Sequence, residues 1–62
     1  MIIIEIKRQD RTTILSGLQI DIEKETNKYT IETHRGIERG YALEYSKQVR
    51  DGYFMVKITE KQ

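Results

Sequence analysis

"GYALEYSKQVRDGYFMVKI", residues 40–58, is the stretch on which the fold turns. It sets Tyr41, Tyr45 and Tyr53 among Lys47, Arg50 and Lys57, and it reads in two ways. As strand, Tyr41, Leu43 and Tyr45 share one face, "KQVRDG" (47–52) is a turn, and Phe54, Val56 and Ile58 carry that face into a last strand. As helix, Ile37, Tyr41, Tyr45 and Val49 recur every four residues. Ala42 joins them, and Gly52 stops the helix behind Lys47 and Arg50. The lack of β-branched residues from Glu38 to Gln48 favours helix. Leu43 on the wrong side, Gly40 in the first turns and no Ser, Thr, Asp or Asn cap near Arg35 and Gly36 speak against it. The strand reading is preferred, with an α+β chain carrying one helix at 37–50 as its alternative.

The flanks support strand, because their apolar residues alternate with a period of two. Ile2, Ile4 and Ile6 share a face opposite Ile3, Glu5 and Lys7. After a polar turn at "RQDR" (8–11), Ile14, Leu18, Ile20 and Ile22 share a parity, facing away from Leu15. Gly17 interrupts this run and marks a bend that splits residues 12–24 into two arms able to serve two sheets. "IEKETNKYTI" (22–31) reads as a hairpin, since Asn27 tolerates the left-handed backbone of short loops and apolar alternation resumes at Tyr29 and Ile31. "HRGIERG" (34–40) reads as a glycine-bounded connection. The expected fold is all-β: a small five-stranded antiparallel meander in one domain, 1–62, curled into a barrel or a two-layer sheet so that one apolar face is buried.

Composition narrows the function. At 62 residues the chain has little volume for a deep cleft. It has no cysteine and a single histidine, so neither a disulfide framework nor the usual zinc cage is expected, and no cofactor is. Eleven basic against ten acidic residues leave a net charge of +1, too small to draw nucleic acid or anionic lipid at long range. "MIIIEIKR" (1–8), interrupted by Glu5 and closed by Lys7 and Arg8, is too short for a signal peptide or membrane span, and the chain is read as complete, soluble and cytoplasmic. Proline is absent, so edge strands are guarded by charge alone.

Catalytic signals are weak. Glu32 and His34 share a face of a regular strand, but an exposed neighbour pair explains them without chemistry, since nothing marks a nucleophile or an oxyanion hole beside them. "HRGIERG" lacks the lysine and the Ser or Thr of a phosphate cradle. Asp21, Glu23 and Glu25 fit a solvated strand face and match no calcium loop. A non-enzymatic binding role is the expectation. The parity opposite the core holds Ile3, Leu15, Tyr53 and Met55, a candidate patch for a protein partner or for a second copy in a homodimer. Addition of a strand at an exposed sheet edge is the other mode. A regulator or inhibitor of a larger enzyme, of the kind viruses and mobile elements encode as short chains, is one form this takes. The alternative is a nucleic-acid-binding regulator using a basic rim of Arg35, Arg39, Lys47 and Arg50, with Tyr53 the one nearby tyrosine on the outer face.

Overall fold

Alternation prevails over the four-residue repeat. The computed structural model describes residues 2–62, and every regular element among them is a strand. They are β1 (Ile2–Lys7), β2 (Thr12–Gly17), β3 (Gln19–Ile22), β4 (Lys28–Thr33), β5 (Gly36–Arg50) and β6 (Tyr53–Glu60). A helix at 37–50 is ruled out, because these residues form most of the 15-residue β5. Each half of β5 finds a ladder, residues 36–41 on β4 and 42–50 on β6. Pairing with neighbours thus overrides the local helix preference of a segment without β-branched residues.

The strands form one sheet in the order β2-β1-β6-β5-β4-β3, curled into a half-barrel. Its two end strands, β2 and β3, are consecutive in the chain and separated only by Leu18, whose N–H bonds to the carbonyl of Glu32 at 2.8 Å. Residues 12–22 are therefore one run bent at Gly17, with one arm on β1 and the other on β4. The expected bend is present, and counting its arms separately turns five strands into six.

The sheet is mixed, not purely antiparallel. All chain-consecutive pairings are antiparallel, but β1 and β6 run parallel, from Ile2 beside Phe54 to Lys7 beside Thr59. Parity requires this. Five alternating runs leave the first and the fifth pointing the same way, so a meander of odd number can close only through a parallel pair.

Two corners divide the curled sheet into layers. In the first lie β2, β1, β6 and residues 42–50 of β5; in the second lie β3, β4 and residues 36–41 of β5. One corner is the Gly17–Leu18 bend. The other is a register shift between Ala42 and Glu44, where one extra residue turns β5 from β4 to β6. Each corner also reverses which parity points inward. Gly17 is buried while Leu15 packs against the core, yet beyond the bend Ile20 and Ile22 point inward. Similarly, Gly40 and Ala42 face the core before the shift, whereas Tyr45 and Val49 share the face of Ile58 and Phe54 after it.

The core consists of Ile4 and Ile6 from β1, Tyr29 and Ile31 from β4, Ala42 from β5, and Val56 and Ile58 from β6. The tyrosine face expected at 41–45 is corrected by the second corner: Tyr41 and Leu43 point outward and are exposed, and small residues sit inside in their place. Gly40 lies opposite Tyr29 and leaves room for its ring. Ile14 and Leu18, expected inside, are likewise outside because the first corner shifts the parity.

The turns are tighter than the sequence reading had them. Asn27 has the expected left-handed φ of 59°, and Asn27 N–H and the carbonyl of Glu23 close the β3–β4 turn at 2.7 Å. The β5–β6 loop is only Asp51 and Gly52, with φ of 50° and 83°, the double positive φ of a two-residue hairpin. Strand β5 therefore runs through Lys47 to Arg50, where a longer turn was expected. The β4–β5 loop is His34 and Arg35 alone, and the rest of "HRGIERG" is strand.

Candidate interaction surface

The outer face of the first layer can be read row by row from the register. Ser16, Ile3, Met55 and Gln48 form one row across β2, β1, β6 and β5. Ile14, Glu5, Lys57 and Ser46 form the next, and Tyr53 stands opposite Arg50 at the hairpin end. Ile3 and Met55 are thus direct neighbours, Tyr53 lies two residues along the same strand face, and Ile14 lies diagonal to Ile3. Ile14 is 67% exposed, Tyr53 is 36% exposed, and Ile3 and Met55 are half-buried. Four apolar side chains from three strands therefore meet on one outward face, rimmed by Glu5, Lys57 and Arg50.

Three of the four residues expected in a patch, Ile3, Tyr53 and Met55, lie on this face. Leu15 does not, since it stands opposite Ile4 and packs against the core. Its place on the outside is taken by Ile14. The signal for this exchange was Gly17 itself, because a bend that inserts one residue must move the parity of everything before it.

The basic residues do not share a face. Arg50 is on the outer face of the first layer, and Arg39, opposite Thr30, is on the outer face of the second. Arg35 is in the β4–β5 loop. Lys47 stands opposite Val56 on the inner face and lines a hollow of about 190 Å³ with Ile2, Ile20 and Phe54 at the open end of the half-barrel.

The opposite end is closed by a polar cap. Arg8 Nε donates to Glu60 Oε2 at 2.7 Å and its Nη1 to Thr13 Oγ1 at 2.8 Å, while the Tyr29 hydroxyl donates to Glu60 Oε1 at 3.3 Å. The Glu60 hydrogen bond raises the Arg8 pKa, and burial raises that of Tyr29 above the usual tyrosine value. Sequence reading missed this cluster, for Arg8 and Glu60 lie 52 positions apart and each alone resembles a solvated charge. The cap satisfies the one buried phenol of the core and leaves no buried side-chain polar atom unpaired among the described residues.

A shallow groove of about 510 Å³ lies between the outer edge of β2 and the β4–β5 loop, and Ser16, His34 and Glu38 all line it. No hydrogen bond joins these three among the described residues, and all are exposed. Glu32 is on the outer face of β4, while His34 has left the strand for the loop, so the expected pair is not held together by a ladder. Among the described residues no group of three or more His, Asp or Glu is placed to hold a metal ion, and no helix is long and apolar enough to cross a membrane.

No protein-family model matches the chain, and neither the curated proteins nor the solved structures contain a match.

Proposed function

We propose that the protein is a small interaction module that docks on another protein through the outer face of its first layer. The observation that carries this reading is the convergence of Ile3, Ile14, Tyr53 and Met55 on one outward face of three hydrogen-bonded strands. A solvated sheet face usually keeps such positions polar, so an apolar group with a charged rim is the composition of a protein contact. Its scale suits a regulator or inhibitor that occupies part of a larger protein's surface. Shallow hollows and dispersed cations give a small-molecule or nucleic-acid site less support than this face gives a protein partner.

The test is affinity capture from the source cells at about 0.15 M and at about 0.5 M salt, comparing the unaltered chain with Ile14→Lys and Tyr53→Glu. A specific partner retained at both salt concentrations by the unaltered chain, and lost with both variants, is the expected result. Equal retention by the variants overturns the assignment of the face. Saturable oligonucleotide binding that falls steeply with salt and requires Arg39 and Arg50 overturns the protein-partner reading.

A further inference from the structure

We propose that two copies of the chain pair through the free edge of β5, in the one register that places Glu44 of each copy opposite Arg50 of the other.

Among the described residues, half of β5 has no paired strand on one side. Its ladder with β4 ends where Tyr41 meets Lys28, and Ala42 N–H to the Asn27 carbonyl at 2.8 Å is the last bond on that side. From the register shift to the hairpin loop, residues 44–50 pair with β6 alone. Seven regular residues of bare strand edge, about 24 Å at the usual rise, are a template for another strand.

The hairpin fixes which backbone groups are free. In a two-residue hairpin the residues flanking the loop exchange both N–H···O bonds, and here these are Arg50 and Tyr53. Alternation then commits Gln48, Ser46 and Glu44 to β6 and directs the N–H and C=O groups of Tyr45, Lys47 and Val49 to the open side. A second copy can bond this edge only if its own odd-numbered residues face these, so the positions that meet must sum to an even number. The pairing is antiparallel, which sets the two-fold axis perpendicular to the sheet and keeps the outer faces of both copies on the same side.

The length of the regular stretch selects the register. Lys47 is the midpoint of 44–50, and pairing centred on it uses all seven residues of both copies without involving the bulged Leu43. In this register Glu44 meets Arg50 twice on the outer face, and Tyr45 meets Val49 twice on the inner face. The first pairs are charge-complementary, and the second are of the aromatic and β-branched type that stabilises sheets. The edge leaves Val49 71% exposed and Tyr45 38% exposed, and the contact covers both. The two copies of Lys47 meet at the axis, where each stem turns into its own hollow beside Ile20 and Phe54 and separates the ammonium groups.

The consequence is an eight-stranded layer, β2-β1-β6-β5 followed by the same strands in reverse order, that presents both copies of the Ile3, Ile14, Tyr53 and Met55 face side by side. The edge and that face are separate surfaces, so either assignment stands without the other.

Sedimentation equilibrium across a concentration series tests the pairing, with circular dichroism confirming that each variant is folded. The unaltered chain is expected at twice its 7.4 kDa mass. Glu44→Arg and Arg50→Glu are each expected to weaken the dimer about 10- to 100-fold, and the double variant E44R/R50E to restore it. Independently of any variant, the amides of Tyr45, Lys47 and Val49 are expected to slow in hydrogen exchange as concentration rises. A folded monomer of 7.4 kDa throughout the series, a dimer indifferent to Glu44→Arg, or exchange at these three amides that ignores concentration overturns the proposal.

Discussion

Replacing Gly40 by alanine is expected to cost more than the same change at Gly17, Gly36 or Gly52. Gly40 lies directly opposite Tyr29 on the inner face, and the phenol ring covers it. A Cβ built there would sit 2.7 Å from Tyr29 Cε2 and would also press on Cζ and the hydroxyl, where non-bonded carbons need about 3.5–4.0 Å. The ring has little room to yield: Tyr29 is fully buried, and its hydroxyl is held by Glu60 in the polar cap. Overpacking of this kind costs about 1–3 kcal/mol, and displacement of the phenol from Glu60 adds about 1 kcal/mol for the broken hydrogen bond. The sum, about 2–4 kcal/mol, compares with a total stability of about 3–9 kcal/mol for a chain of this size. It corresponds to a fall in Tm of about 15–30 °C. Gly52→Ala is the control, since a Cβ there meets nothing within 4 Å and only the positive φ of 83° is strained, at about 1–2 kcal/mol. Thermal and urea denaturation of both variants decides the matter. A Gly40→Ala protein within about 0.5 kcal/mol of the unaltered chain would refute the packing of Tyr29 across the sheet.

Two further outcomes follow from the corner and the cap. Leu15→Lys is expected to lose about 2–4 kcal/mol by driving a charge toward Ile4, whereas Ile14→Lys, on the outer face opposite Glu5, stays within about 0.5 kcal/mol; urea midpoints measure both, and equal losses would contradict the parity shift at Gly17. Burial raises the Tyr29 pKa above its unfolded value of about 10, so its contribution is complete below that pH and is lost as pH rises through the folded value. Denaturation at pH 9 and pH 11 is therefore expected to show a larger alkaline loss for the unaltered chain than for Tyr29→Phe, and parallel losses would place Tyr29 in contact with solvent.

The all-β class was legible because Ile2, Ile4 and Ile6, then Ile20 and Ile22, then Tyr29 and Ile31, alternate without interruption inside their strands. What alternation does not carry is phase across a corner. Gly17 announced a bend, but the residue it inserts exchanges Leu15 for Ile14, and only the paired strand β1 fixes which of the two faces in. The corner at Ala42 had no sequence mark, since any residue of β5 can bulge once β4 and β6 pull on its two halves. Asp51-Gly52, by contrast, is a standard signature of a two-residue hairpin, and weighing it above the polar run "KQVR" would have extended β5 to Arg50. The candidate face inherited the same limit: Ile3, Tyr53 and Met55 lie on strands without a corner between them and the turn, while Leu15 lies beside one. The Arg8–Glu60–Tyr29 cap was out of reach, because it arises only when the parallel closure of β1 on β6 brings Arg8, just past the end of β1, beside Glu60 at the end of β6.

That closure also explains why so small a chain keeps both a core and a bare edge. An odd number of runs closes through β1 and β6, whose parallel pairing spans the whole of β1 and fills the centre with Ile4, Ile6, Val56 and Ile58. Runs of equal length would then hydrogen-bond on both sides throughout. Strand β5 has 15 residues against six in β4, so once its first half has covered β4 its second half must extend past it along β6. The free edge from Glu44 to Arg50 is thus a direct consequence of strand length. Shortening β5 would protect the edge only by stripping Tyr45 from Ile58 and Lys47 from Val56, so a fold that retains eight ladder residues on β6 retains, with them, the place where another strand fits.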